Sequence, residues 1–243
     1  MFSQLDLIEL NNLFESASPL EIIKWAWHTF KPKIAVTSSF QTQSVPLLHM
    51  ISDTVPEMPI FFLDTGFHFA ETLAYRDQLN KELNLNVINL KPEMGHDKFQ
   101  AEYGDLYKRD PDRCCYINKV VPLQKALKGL DAWISGIRRD QTPQRRNIPA
   151  VSRMENGLYK ICPMVTWTGR DVWQYIAKHE LPEHPLLSQG FMSIGCAPCT
   201  RPVYMGEDER AGRWAGANKV ECGLHTNTWD QSSLTSSRIE SEA

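Results

Sequence analysis

Cys114 and Cys115 are adjacent in the sequence, and Cys196-Ala197-Pro198-Cys199 supplies a second pair far downstream, in a stretch bearing glycine and proline. Four thiolates are the usual complement of a 4Fe-4S centre, and these two pairs together make such a set. The C-x-x-C half is weak on its own, because zinc sites and redox dithiols use it too. The alternatives are a structural zinc tetrad, or a buried cysteine pair beside a chance C-x-x-C. If residues 113–123 are helical, neighbouring side chains diverge by roughly 100°. Both vicinal thiolates then reach one compact cluster only near a helix end or at a backbone distortion, so local strain is expected there. Lys119 falls one turn beyond Cys115 on the same face, where its ammonium would offset the negative charge of a thiolate-ligated cluster.

A fifth cysteine has the setting of a nucleophile. Glu221-Cys222-Gly223-Leu224-His225 places a thiol beside a glycine and three residues from a histidine. The thiolate is the reactive form of cysteine, and nearby cations favour it. Taken alone, a cysteine so close to the carboxyl end is more often incidental than catalytic. Arg210 and Arg213, spaced i and i+3, can point the same way and grip an oxyanion with paired hydrogen bonds, while Arg138 and Arg139 approach from another loop. Their bland reading is a solvated helix face. Cys162 reads as a small buried hydrophobe, and His68 and His184 as structural histidines.

These groups need elements to position them. Ser18-Pro19-Leu20-Glu21 carries a serine cap, a proline in the first turn and a glutamate reaching back, which starts a helix with Leu20, Ile23, Trp27 and Phe30 on one face. Lys33 to Ser38, Ile60 to Asp64, Val87 to Leu90 and Ala132 to Ser135 are short apolar runs, each followed by polar residues and a helix-like segment. Another helix is expected from Thr168 to His179. The rhythm predicts an α/β fold, a parallel sheet covered by helices on both faces, with ligands beyond the carboxyl ends of the strands. The loops found there are Ser38-Ser39-Phe40-Gln41-Thr42-Gln43-Ser44, Asp64-Thr65-Gly66 and Gly136 to Gln141. Ser38, Ser39 and Phe40 are candidate nucleotide contacts, as are Asp64, Thr65 and Gly66, although Asp64 could equally be a helix cap. Residues 1–215 are expected as one domain, and 216–243 as a mobile segment that carries Cys222 and ends in a disordered, serine-rich tail.

A hydrophobic share of 42% and a charged share of 23% describe an ordinary folded, soluble chain. A net charge of -3 and a pI near 6.2 give no general attraction for nucleic acid, so an anionic ligand must be met by local arginines. No apolar stretch is long enough to span a bilayer, and Met1-Phe2-Ser3-Gln4 does not open a secretory leader, so a cytoplasmic protein is expected. With six cysteines in such a chain, metal binding or catalysis is expected ahead of disulfides. Symmetric homo-oligomers are the default assembly.

The chain resembles the assimilatory adenylyl-sulfate reductases, the iron-sulfur branch of the sulfonucleotide reductase family. The likeness rests on Leu63-Asp64-Thr65-Gly66, Cys114-Cys115 with Lys119, Gly136-Ile137-Arg138-Arg139-Asp140-Gln141, Gly195-Cys196-Ala197-Pro198-Cys199, Arg210-Ala211-Gly212-Arg213-Trp214 and Glu221 to His225, in that order. It implies the PP-loop-like sheet of the adenine nucleotide alpha hydrolases. It implies one 4Fe-4S cluster on Cys114, Cys115, Cys196 and Cys199, supporting activity without carrying the electrons. It also implies that Cys222 attacks the sulfur of adenosine 5'-phosphosulfate (APS), with His225 among the substrate-binding residues, and that thioredoxin or a glutaredoxin-like dithiol then releases sulfite.

The first-strand loop departs from that family, which usually has glycine after Ser-Phe where this chain has Gln41. The loop is therefore expected to bind nucleotide differently or to be reshaped. Its Ser38-Ser39-Phe40 start resembles relatives that lack a cluster and take the 3'-phosphorylated substrate, PAPS, which is the alternative substrate. More distant readings are an ATP pyrophosphatase that thiolates tRNA, for which a Gly-rich loop and a basic surface are missing, and a non-catalytic cluster protein.

Overall fold

The computed structural model describes residues 2–217 together with Lys219, Glu221, Gly223 and Leu224. Cys222, His225 and the serine-rich end lie outside the described residues. The chain opens with α1 (Gln4–Phe14), α2 (Pro19–Phe30), β1 (Ile34–Thr37), α3 (Val45–Thr54), β2 (Pro59–Leu63), α4 (Ala70–Glu82) and β3 (Asn86–Leu90). It continues through α5 (His96–Tyr103), α6 (Leu106–Arg109), α7 (Pro111–Cys115), α8 (Val121–Leu127), β4 (Ala132–Ser135), β5 (Val151–Arg153), β6 (Tyr159–Ile161) and α9 (Gly169–Lys178).

The anticipated strands are present, and the hairpin of β5 and β6 adds two that periodicity did not reveal, each too short to show an alternation. They form one sheet in the order β3-β2-β1-β4-β6-β5. β1 runs parallel to β2 and β4, β4 parallel to β6, and β5 alone of these pairs antiparallel to β6. The order reverses between β1 and β4, which makes the loops after these two strands the walls of a crevice at the carboxyl edge. β4 is buried at every position and β1 at three of four, the pattern of strands covered on both faces. Trp133 ties the two together, donating from Nε1 to Thr37 Oγ1 at 2.9 Å.

α2 begins at the foreseen capping box: Ser18 Oγ accepts from the Glu21 amide and Glu21 returns to the Ser18 amide. Its buried face is Ile22, Ile23, Ala26 and Phe30, whereas Leu20 and Trp27 are only partly covered. The stripe is thus rotated from the one expected, because Trp27 spreads over the rim of the core. α9 is capped by Thr168, with Asp171 completing a second box.

The described chain divides into two compact units. The first comprises residues 1–62, 70–89 and 127–187 and holds the sheet apart from the last residues of β2 and β3; the second comprises residues 63–69, 90–126 and 188–243. Among the described residues no helix is long and apolar enough to cross a membrane.

Candidate functional site

In the first unit, the loop after β1 is organised by its own side chains. Ser38 Oγ accepts from the Phe40 amide at 3.1 Å, and the Ser39 and Ser44 hydroxyls are 3.2 Å apart. The glycine-like conformation falls on Phe40, whose φ is 50°, while Gln41 is extended at φ -92° and ψ 163°. The left-handed conformation thus falls on Phe40, and Gln41 needs no unusual backbone angles. Phe40 is fully buried and packs edge-on against Phe62 at 5.6 Å between ring centres. Its ring belongs to the core, so only its backbone is left for a ligand. Thr42 Oγ1 accepts the His184 amide at 3.0 Å, which ties the loop to the chain after α9.

Arg138, in the loop after β4, is 2% exposed. Its Nε donates to Asp140 Oδ1 at 3.0 Å, and its two terminal nitrogens donate to Gln43 Oε1 at 3.2 and 3.1 Å. Arg139 turns elsewhere, forming a bidentate pair with Glu15 of α1 at 2.7 and 2.6 Å and donating to the Ile148 carbonyl. Arg138 is extended while Arg139 opens a short 3-10 turn, and the two arginines take separate partners rather than one anion.

The second unit gathers the four cysteines. Cys114, Cys115, Cys196 and Cys199 line one small cavity with Phe67, Tyr107, Asn118 and Lys119. The helix carrying the vicinal pair departs from α geometry where expected: α7 ends at Cys115, and residues Tyr116–Val120 form a π turn before α8 begins. The distortion shifts hydrogen bonding without straining Cys115, whose φ of -65° and ψ of -36° are ordinary helical values. Thr65, expected to contact the nucleoside, is instead buried with its hydroxyl 3.4 Å from Cys196 Sγ. Asp64 Oδ1 accepts the Gly66 amide at 3.2 Å, closing a turn in which Gly66 has φ 75°.

Burial pushes the Cys114 thiol up to about 12, with Cys115, Cys196 and Cys199 adding repulsion. Burial likewise raises Cys199 to about 11, with Cys196 and Cys115 raising it further and Lys119 and Arg213 opposing. Two of these thiols, Cys114 and Cys199, resist ionisation by themselves, and a cationic metal centre would hold such groups as thiolates. Among the described residues no three histidine, cysteine or carboxylate side chains converge tightly enough to hold a single metal ion. The four-cysteine donor set fits the usual complement of a 4Fe-4S cluster. Cys162 is fully buried, its thiol raised to about 11 by burial, and it acts as a core residue.

Arg210 and Arg213 lie in a turn rather than on a helix, with the Arg213 amide donating to the Arg210 carbonyl at 2.9 Å. Arg213 pairs across to Thr200 through an isolated bridge, and the Trp214 amide donates to the Cys199 carbonyl at 2.9 Å. This stretch thus braces the C-x-x-C loop. The Arg213 guanidinium lies 4.4 Å from the Trp214 ring centre, donates from Nη1 to the Ile194 carbonyl at 3.2 Å, and rests on Gly195, where any Cβ would overlap it. Its buried Nε has no hydrogen-bond partner among the described residues. Arg210 Nη2 is 4.0 Å from Glu221, beside Cys222 in sequence. The positioning groups Gln43, Asn118 and Gly195 were not singled out in the sequence; the position of Asn118 four residues after Cys114 was the available signal.

Residues 33–202 match the family model described as the phosphoadenosine phosphosulfate reductase domain. The chain is 43% identical over 225 residues to adenosine 5'-phosphosulfate reductase of Halalkalibacterium halodurans, covering 91% of this chain and 97% of that one. It is 46% identical over 213 residues to the protein of the same name from Streptomyces coelicolor, covering 87% and 89%. Among solved structures, phosphoadenylyl-sulfate reductase from Candida auris, in a phosphate complex, superimposes with a TM-score of 0.73 at 29% identity, covering 82% of this chain and 97% of that one.

Proposed function

Because this chain belongs to the phosphoadenosine phosphosulfate reductase family, we propose that it reduces adenosine 5'-phosphosulfate to sulfite and AMP with electrons from an external dithiol. The likeness over 91% of the chain to a reductase named for that nucleotide carries the reading, and it favours APS over PAPS. The Cys222 thiolate attacks the sulfur of the sulfate group; the bond from sulfur to the bridging oxygen breaks, AMP leaves with that electron pair, and Cys222 holds a sulfonate. A thiolate of the dithiol then attacks the Cys222 sulfur and expels sulfite, and its second thiol restores Cys222, leaving the dithiol oxidised to a disulfide. Thioredoxin or a glutaredoxin-like protein in the cytoplasm has the required chemistry.

A thiolate approaching an anionic sulfate meets Coulomb repulsion that fixed cations must cancel. Arg213 is suited to this, seated on Gly195 and Trp214 with an Nε donor that has no partner among the described residues. Arg210, near Glu221, and His225 are assigned to the same anion. Ser38, Ser39 and the Phe40 backbone, with Asp64 and Gly66, are assigned to the nucleotide. Arg138 serves by holding its loop. Cys114, Cys115, Cys196 and Cys199 would hold one 4Fe-4S cluster, with Lys119 beside it. When bound, the cluster would keep the thiols ionised and order the two segments that carry them.

Incubation of anaerobically purified protein with APS alone should add the mass of one sulfonate to the Cys222 peptide, and reduced thioredoxin should then release sulfite. An unmodified Cys222 peptide after exposure to APS rejects the mechanism. Parallel assays with PAPS read nucleotide preference.

A further inference from the structure

We infer that Asn118 is the positioning residue of the vicinal cysteine pair: its side-chain amide pins both the backbone and the sulfur of Cys114 and thereby stabilises the cluster site. The inference rests on the cluster reading above. Asn118 is 3% exposed and sits inside the π turn that follows Cys115. Its Nδ2 donates to the Cys114 carbonyl at 3.0 Å and lies 3.7 Å from Cys114 Sγ. The amide nitrogen carries two hydrogens, so one group can serve both acceptors.

The placement answers a local difficulty. A π turn moves backbone hydrogen bonds from the fourth residue to the fifth. Asn118 is the fourth residue after Cys114, and its side chain gives the Cys114 carbonyl a donor beside the π turn that does not depend on the backbone register. The helix can therefore loosen enough to present Cys114 and Cys115 to one centre without exposing a buried carbonyl. The second hydrogen, aimed at sulfur, withdraws charge from a thiolate ligand and restricts the Cys114 side chain to one orientation. Leucine in place of Asn118 fills similar volume and does neither.

The test compares anaerobically purified wild type with Asn118→Leu and Asn118→Asp, the latter having the same shape but no amide hydrogens. Iron per chain, the iron–cysteine sulfur stretching bands in resonance Raman spectra and the rate of iron loss to a chelator are read without an activity assay. Both variants should show shifted bands and lose iron about tenfold faster than wild type. A folded variant that takes up no iron also supports the inference, folding being judged by circular dichroism. If Asn118→Leu fails to fold, Asn118→Asp decides by the same readouts. Wild-type bands and loss rate in either folded variant overturn it. Wild-type protein lacking iron would sink the cluster reading instead, before any variant is compared.

Discussion

The Arg138 guanidinium reaches from the loop after β4 to the side-chain oxygen of Gln43 in the loop after β1, at 3.2 and 3.1 Å. These strands flank the point where the sheet order reverses. The loops after β1 and β4 are therefore tied by one buried cation and one amide. Removing Gln43 leaves the buried Arg138 guanidinium short of a bond.

A double-mutant cycle measures the tie. Arg138→Met should cost about 3 kcal/mol in urea unfolding and Gln43→Ala about 1 kcal/mol, with a coupling energy near 1 kcal/mol because the bond involves a charged donor. Additive losses would show that the contact contributes nothing.

Cys222→Ser should retain wild-type iron and colour yet form no sulfite, since a hydroxyl is a poor substitute for a thiolate. Cys114→Ser should lose iron. Normal sulfite production by Cys222→Ser, with thioredoxin supplied, would reject the nucleophile.

Gly195→Ala should damage anion binding. A methyl group there overlaps the Arg213 guanidinium, which must leave its seat against Trp214. KM for APS should rise about tenfold, because small displacements of an oriented charge are costly. An unchanged KM, with iron content intact, would mean that Arg213 does not touch substrate.

His184 should make stability depend on pH. It is 1% exposed, its Nδ1 accepts the Leu186 amide, its Nε2 meets Thr72 Oγ1, and burial lowers its pKa from 6.5 to about 4. The unfolded chain takes up a proton that the folded chain refuses, so this contribution is complete above pH 6.5 and fades as pH falls towards 4. At about 1.4 kcal/mol per unit, it amounts to at most about 3 kcal/mol. His184→Gln should be less stable at pH 7 and show a shallower decline between pH 6.5 and 4.5 by urea titration. An identical slope would exclude His184 as the source.

Phe40 and Thr65 show where reading the chain reached its limit. Both lie in loops whose place at the sheet edge was legible from apolar runs that end in polar residues. Their directions were not: Phe40 turns into the core and Thr65 towards Cys196. A side chain's direction in an irregular loop depends on contacts from residues remote in sequence, and no periodicity encodes them. The departure from α geometry after Cys115 was foreseeable because it follows from local helix geometry alone.

The sequence by itself determined the parallel α/β sheet, the capped starts of α2 and α9, and the candidate cysteine ligands, since apolar period, capping chemistry and residue type are local properties. Tertiary structure alone decided that Arg138 belongs to Gln43 and Arg139 to Glu15, that Asn118 serves Cys114, and that Arg213 is seated on Gly195. Such pairings join groups by distance and burial, and a hydrogen-bond donor or cation has many chemically equal partners until the fold brings one of them within reach.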